Sequence, residues 1–363
     1  MAHIVEDGSA SKFAEYRRES GPAGVKRQAL KTLPVIDIGP FVRESSLAER
    51  ERVARELREV CINLGFFYIT GHGIPASELE EVIDWGHRFF GLPMEEKMKM
   101  HQSKSPGKQG YVSVGGVDPY GKSVVEPDIK ERFAMSRERL PGEPPGPSFN
   151  TGEAVWPAPE VLPGFEAAMK SHMAKRCDVA RKLVRAIAMS LDLPESFFDE
   201  MYRYMGGTLM YNYYPPSGAV PMKESQWNFS PHTDYGVATL LLQDALGGLE
   251  ARNADEEWIA VPPLAGSFVV NIGDTLQMWT NDLYISTLHR VVNSSSKARI
   301  SQPLFTYPHG KTLIECLPTC HGPGNPPKYE PIVCEVYNQA LVDQAARTGR
   351  PGLSKQTASR FKN

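Results

Sequence analysis

His232 and Asp234 stand one residue apart in "WNFSPHTDYG", a stretch that reads as extended chain. In a strand, residues i and i+2 point to the same face, so an imidazole and a carboxylate at this spacing can grip one metal ion together. A third donor comes with His289 in "STLHRVV". Two histidines and one carboxylate gathered on one side of a metal leave its other side open, which suits an Fe(II) centre that handles O2. The same donors also suit zinc with a bound water. An HxD pair by itself is commonly a polar turn or a satisfied surface pair, so its reading depends on its company.

That company is polar and regularly spaced. In "KARISQPLF", Arg299 and Ser301 again stand at i and i+2, so a guanidinium and a hydroxyl share one face. A fork-shaped cation beside a donor is what a buried carboxylate requires. "LMYNYYP" repeats the device with Asn212 and Tyr214, and Met210 lies alongside. Three inward-facing polar pairs are hard to explain as packing, because unpaired polar groups in a barrel interior are costly. Other candidates have plainer readings. Cys316, Cys320 and His321 in "ECLPTCHG", with Cys334, lack zinc-site spacing and read as structural. His72 and His87 fall in the helical region without a carboxylate at chelating distance, His309 and His321 lie in Pro-Gly turns, and Arg290 points away from His289 toward a partner on the opposite face.

The scaffold that must position these residues is an enzyme-sized chain of 363 residues, 41% hydrophobic and 23% charged. Its formal charge of -3 and the lack of a Lys/Arg run argue against nucleic acid as a partner. The polar N-terminus has no secretory core, no run is long enough to cross a bilayer, and five scattered cysteines make no disulfide framework, so a cytoplasmic location is expected. Residues 1–30 read as a flexible arm. "LPVIDIGPF" and "GFFYITGHGIP" read as strands; the run after Ser46 with Val53, Leu57, Val60, Cys61 and Leu64, and "ELEEVIDWGHRFFGLP", read as helices. Residues 100 to about 160 are dense in Gly, Pro and Ser, apart from "KERFAMS". A long helix with a stripe from Phe165 to Leu191 follows, and then eight strand-like runs: "TLMYNYY", "VATLLLQD", "GLEAR", "WIAVPP", "SFVVNIG", "TLQMWT", "STLHRVV" and "RISQPLFTYP". That spacing is expected of a double-sheet jelly roll.

Taken together, "PVIDI", "LGFFYITGHGIP", "FFGLPMEEKMK", "NYYPP", "HTDYG", "GGLEAR", "VVNIGDTLQMWTN", "STLHRVV" and "RISQPLF" make the chain resemble the isopenicillin N synthase-like, plant-type Fe(II)/2-oxoglutarate-dependent dioxygenases, from about residue 34 to 340. The resemblance implies a mainly β fold with a helical N-terminal region and a double-stranded β-helix core of the jelly-roll, cupin-like kind. It implies a mostly helical region over 31–200, the β-helix over 201–345 and a tail over 346–363. It also implies iron on His232, Asp234 and His289, with 2-oxoglutarate and O2 as co-substrates. Arg299, Ser301 and the Tyr214 hydroxyl would bind the far carboxylate of 2-oxoglutarate.

The expected activity is oxidation of a small organic molecule by hydroxylation, desaturation, epoxidation or cyclisation, with 2-oxoglutarate converted to succinate and CO2. Alternatives are an Fe(II) oxidase of the same family that does not use 2-oxoglutarate, and a zinc hydrolase, which would have no need of Arg299 and Ser301. Tyr111, Phe133, Asn212 and Phe305 are the substrate-facing candidates, the first two by their place in the family's variable segment and the others by strand period. A small molecule is the only partner expected: no membrane, nucleic acid or obligate protein partner is implied.

Overall fold

The computed structural model describes residues 27–348 apart from 106, 108, 115–127, 144–152 and 224–225. The N-terminal arm up to residue 26, the tail after 348 and parts of the Gly/Pro-rich stretch therefore lie outside the described residues. Two sheets carry the fold. Eight strands form the larger one: β1 (Val35–Asp37), β2 (Phe66–Thr70), β3 (Gly110–Val112), β4 (Glu131–Ser136), β5 (Gly206–Tyr214), β7 (Ala238–Gln243), β10 (Phe268–Ile272) and β12 (Arg299–Tyr307), in the order β1-β2-β10-β7-β12-β5-β4-β3. The smaller sheet is built from β6 (Phe229–His232), β8 (Leu249–Arg252), β9 (Trp258–Ala260) and β11 (His289–Val291), in the order β6-β11-β8-β9. All pairings in both are antiparallel except β1 with β2. This is the double-stranded β-helix core. Strands β1 to β4 come from the region expected to be mostly helical, so the larger sheet draws on both halves of the chain.

Alternation sorts the larger sheet into two environments. The outer face packs against the helix Phe165–Ser190, which buries Phe165, Met169, Ala180, Leu183, Val184 and Ile187 and itself lies against the helix Leu47–Asn63. The Leu47 helix begins with a capping box: Ser46 accepts from the Glu49 backbone N–H, and the Glu49 side chain accepts from the Ser46 N–H. The inner face carries Tyr68, Val269, Leu241 and Tyr214, which meet Leu249, Ala251 and Val291 of the smaller sheet. Burying both faces at once makes the two-layer core.

One expected strand is a helix. "TLQMWT" is helical from Thr275 to Trp279, within Asp274–Trp279, whose six residues are all buried, so neither period shows in the pattern. Contacts remote in sequence decide the conformation: the Asp274 N–H donates to the Asp234 carbonyl at 2.7 Å, and the Thr275 N–H to the Tyr235 and Gly236 carbonyls. The helix start is thereby fastened to the turn that carries the HxD pair. Gly236 and Gly273 permit the approach, since a Cβ at Gly273 would collide with the Gly236 carbonyl, and one at Gly236 with that of Thr306.

Candidate metal centre and co-substrate site

His232 closes β6 and His289 opens β11, and the two face each other in cross-strand register, their ring centroids 4.1 Å apart. Asp234 stands in the turn by which the chain leaves the smaller sheet for β7 of the larger one. His232, Asp234 and His289 each offer a ligand atom within 4.8 Å of the others, and all three are buried. Asp234 Oδ1 lies 3.8 Å from His232 Nε2 and 3.7 Å from His289 Nε2.

The surroundings fix how each donor presents its lone pair. His232 Nδ1–H donates to the Ser230 carbonyl at 2.8 Å, and His289 Nδ1–H to that of Thr287 at 3.0 Å. Both rings are thus held in the tautomer that leaves Nε2 as an acceptor, facing Asp234. Burial, with His289 close by, holds the His232 imidazole well below its ordinary value, so it is neutral and able to ligate. Asp234 divides its labour: Oδ2 accepts from the Thr239 hydroxyl and from Asn271 Nδ2 at 2.6 Å, while Oδ1 faces the imidazoles. Thr239 and Asn271 were missed by sequence reasoning. They stand opposite each other on β7 and β10, and only that pairing brings them to Asp234.

Next to this cluster, β12 presents Arg299 and Ser301, and the register sets them opposite Tyr214 and Asn212 of β5. Arg299 is 1% exposed. Its Nε donates to the Gly247 carbonyl and its Nη2 to Gln243 Oε1 at 2.9 Å, while Nη1 has no hydrogen-bond partner among the described residues. A buried guanidinium with one unspent nitrogen is costly unless a ligand completes it. Burial raises the Tyr214 phenol above its ordinary value, while Arg299 and Ser301 on its hydroxyl pull the other way. It is therefore a protonated donor beside Arg299. The donor set fits the cofactors on both counts: three ligands converge for one divalent cation, and the buried Arg299 guanidinium keeps a donor nitrogen for a carboxylate.

The sequence carries the same signature. Residues 33–159 match the family described as the N-terminal region of non-haem dioxygenases in morphine synthesis, and residues 206–308 match the 2OG-Fe(II) oxygenase superfamily. The chain belongs to the 2-oxoglutarate/Fe(II)-dependent oxygenases. It is 33% identical to the 2-oxoglutarate-Fe(II) type oxidoreductase ppzC of Metarhizium majus, over 92% of this chain and 95% of that one. It is 35% identical to azadirone synthase LFS of Melia azedarach, over 90% and 98% respectively. Among solved structures it is similar to a full-length Neurospora crassa protein in complex with alpha-KG and thymine. There the TM-score is 0.75 at 28% identity, covering 89% of this chain and 99% of that one. The oxygenase is an oxidoreductase that uses Fe(II), 2-oxoglutarate and O2. Among the described residues no helix is long and apolar enough to cross a membrane.

The substrate-facing candidates divide by face. Asn212 and Phe305 lie on the inner face, Asn212 opposite Ser301 and Phe305 opposite Thr239. Tyr111 and Phe133 do not line the site, which corrects the expectation for both. They oppose each other on β3 and β4, and Phe133 also opposes Tyr211, on the outer face. Phe133 is packed among Phe89, Trp156 and Phe165, and the Tyr111 phenol donates to Glu131 in a buried network with Lys97. Their neighbours Arg132 and Ala134 take the inner face, opposite Asn212 and Met210. Arg290 does point away from the metal: it pairs with Glu250 at 2.6 Å, its guanidinium over the rings of Trp227 and Trp258. Lys130 was not singled out by sequence reasoning. Its Nζ lies 2.8 Å from the centroid of Phe229, and its ion pair with Asp128 is long at 3.7 Å. Burial pushes its ammonium down to about 7 despite Asp128.

Proposed function

We propose that the oxygenase oxidises a C–H bond of a small organic metabolite while converting 2-oxoglutarate to succinate and CO2. In the hydroxylation form of the reaction, one atom of O2 enters succinate and the other the product; desaturation, epoxidation and cyclisation draw on the same oxidising capacity. His232, Asp234 and His289 hold the iron, which supplies the redox chemistry joining O2 cleavage to decarboxylation and substrate oxidation. Thr239 and Asn271 orient Asp234, and the Ser230 and Thr287 carbonyls orient the two imidazoles. Arg299, Ser301 and Tyr214 bind the far carboxylate of 2-oxoglutarate, which leaves its keto-acid end directed at the metal. Asn212 and Phe305 face the substrate.

The observation that carries this reading is the unpartnered Nη1 of buried Arg299 on the strand beside the His-Asp-His cluster. Anaerobic titration with Fe(II) in the presence of 2-oxoglutarate, followed by admission of O2, tests it. A visible charge-transfer band and then succinate are the expected results. Bound iron with neither band nor succinate would leave the oxidase that works without 2-oxoglutarate, and tight zinc in place of iron would leave the hydrolase.

A further inference from the structure

Next to the metal centre the inner face carries two cationic side chains, Lys130 and Arg132. Phe229 stacks on His232 with centroids 3.8 Å apart, and Lys130 Nζ lies 2.8 Å from the same Phe229 centroid. Two groups so close to one ring must occupy its opposite faces, so the Phe229 ring alone separates the ammonium from a metal ligand. An ammonium has three N–H donors, and among the described residues Lys130 has one ion pair, the long contact with Asp128, whose Oδ1 is already taken by the Ser230 N–H at 2.9 Å. The Lys130 side chain is 13% exposed, enough to be met by a small molecule. Two residues on, Arg132 adds a second cation on the inner face, with Nη2 held by Gln102 Oε1 at 3.1 Å. Asn212, directly opposite Arg132, is 2% exposed, and its Oδ1 has no hydrogen-bond partner among the described residues. A loosely paired ammonium, a guanidinium two residues on and an unsatisfied amide alongside describe a polar site that an anion would complete.

We propose that Lys130, seconded by Arg132, recognises a carboxylate on the primary substrate, and that Asn212 receives a hydrogen-bond donor of the same molecule. The substrate is thus a small organic acid, held by its anionic end one ring away from the iron ligand His232. This deepens the function proposed above and rests on it. The aromatic face of Phe229 helps by excluding water from one side of the ammonium, which strengthens its attraction to an anion.

Full-length protein loaded anaerobically with Fe(II) and 2-oxoglutarate is titrated with matched acid and amide probes: phenylacetate and phenylacetamide, indole-3-acetate and indole-3-acetamide, octanoate and octanamide. Perturbation of the charge-transfer band reads binding at the metal. Acids should act at concentrations about tenfold or more below their amides, the worth of one hydrogen bond to a buried charge. Lys130→Met should erase that preference and Lys130→Arg should keep it, each judged only in protein that still gives the 2-oxoglutarate band. Equal response to acid and amide in the wild type, no response to any acid, or a preference that survives Lys130→Met would overturn the assignment. Loss of the band in the wild type before any probe is added would instead strike at the 2-oxoglutarate reading. The wild-type comparison stands even if a variant fails to fold.

Discussion

Replacing Arg299 by methionine removes the guanidinium and keeps most of the side-chain volume, so it isolates the polar contribution of this residue to co-substrate binding. Nε and Nη2 are occupied by the Gly247 carbonyl and by Gln243 Oε1, leaving Nη1 as the nitrogen a ligand can use. A hydrogen bond to a charged group is worth about 1.5–3 kcal/mol. At 1% exposure the guanidinium is little screened by water, which favours the upper half of that range. The half-saturating concentration of 2-oxoglutarate should therefore rise by about 100-fold, as about 2.7 kcal/mol dictates. Arg299→Lys should lose roughly tenfold, because one ammonium cannot hold the Gly247 carbonyl and Gln243 and still reach a carboxylate. Titration of the charge-transfer band at fixed Fe(II) measures both, and metal affinity without 2-oxoglutarate serves as the control, since Arg299 makes no hydrogen bond to His232, Asp234 or His289. A folded Arg299→Met protein with an unchanged 2-oxoglutarate curve would refute the reasoning.

Asp234→Ala should abolish Fe(II) binding and turnover together, by calorimetry and succinate assay; wild-type-like activity in that variant would remove the metal assignment. Asn271→Ala should weaken metal binding about 10- to 100-fold while the far-carboxylate site stays intact, because Asp234 Oδ2 then keeps only the Thr239 hydroxyl. An unaltered metal isotherm would show that this hydrogen bond does not orient the ligand. Because burial depresses the pKa of His232 in the folded state, the unfolded chain takes up its proton first as pH falls. The stability of the metal-free protein should thus drop as pH descends below the ordinary histidine value of 6.5, and His232→Asn should flatten that slope in denaturant melts at several pH values.

Much of the site was legible because a strand has a strict period of two. Arg299 with Ser301 and Asn212 with Tyr214 are face-sharing pairs named from spacing alone, whereas Asp234 lies past the end of the strand that His232 closes and reaches the same centre from the turn. The same rule cannot say which face is inward, since one step in register exchanges them. Phe133, expected in the pocket from its place in the family's variable segment, turns outward while its neighbour Arg132 takes the inner face, because Phe89, Trp156 and Phe165 pack against Phe133 on the outer face.

Local sequence thus determined the donor types, their pairing along each strand, the capping box at Ser46 and the amphipathic stripe from Phe165. Tertiary structure alone decided what depends on segments far apart in sequence. The β6–β11 register sets His232 opposite His289, and the β7–β10 register delivers Thr239 and Asn271 to Asp234. Fully buried Asp274–Trp279 becomes a helix because its first N–H groups find the Asp234, Tyr235 and Gly236 carbonyls. Lys130 acquires its place over Phe229 only once the segment leading into β4 is laid beside β6. Spacing along a chain fixes directions, whereas coordination and charge balance depend on distances in space, and these exist only after the two sheets have closed on each other.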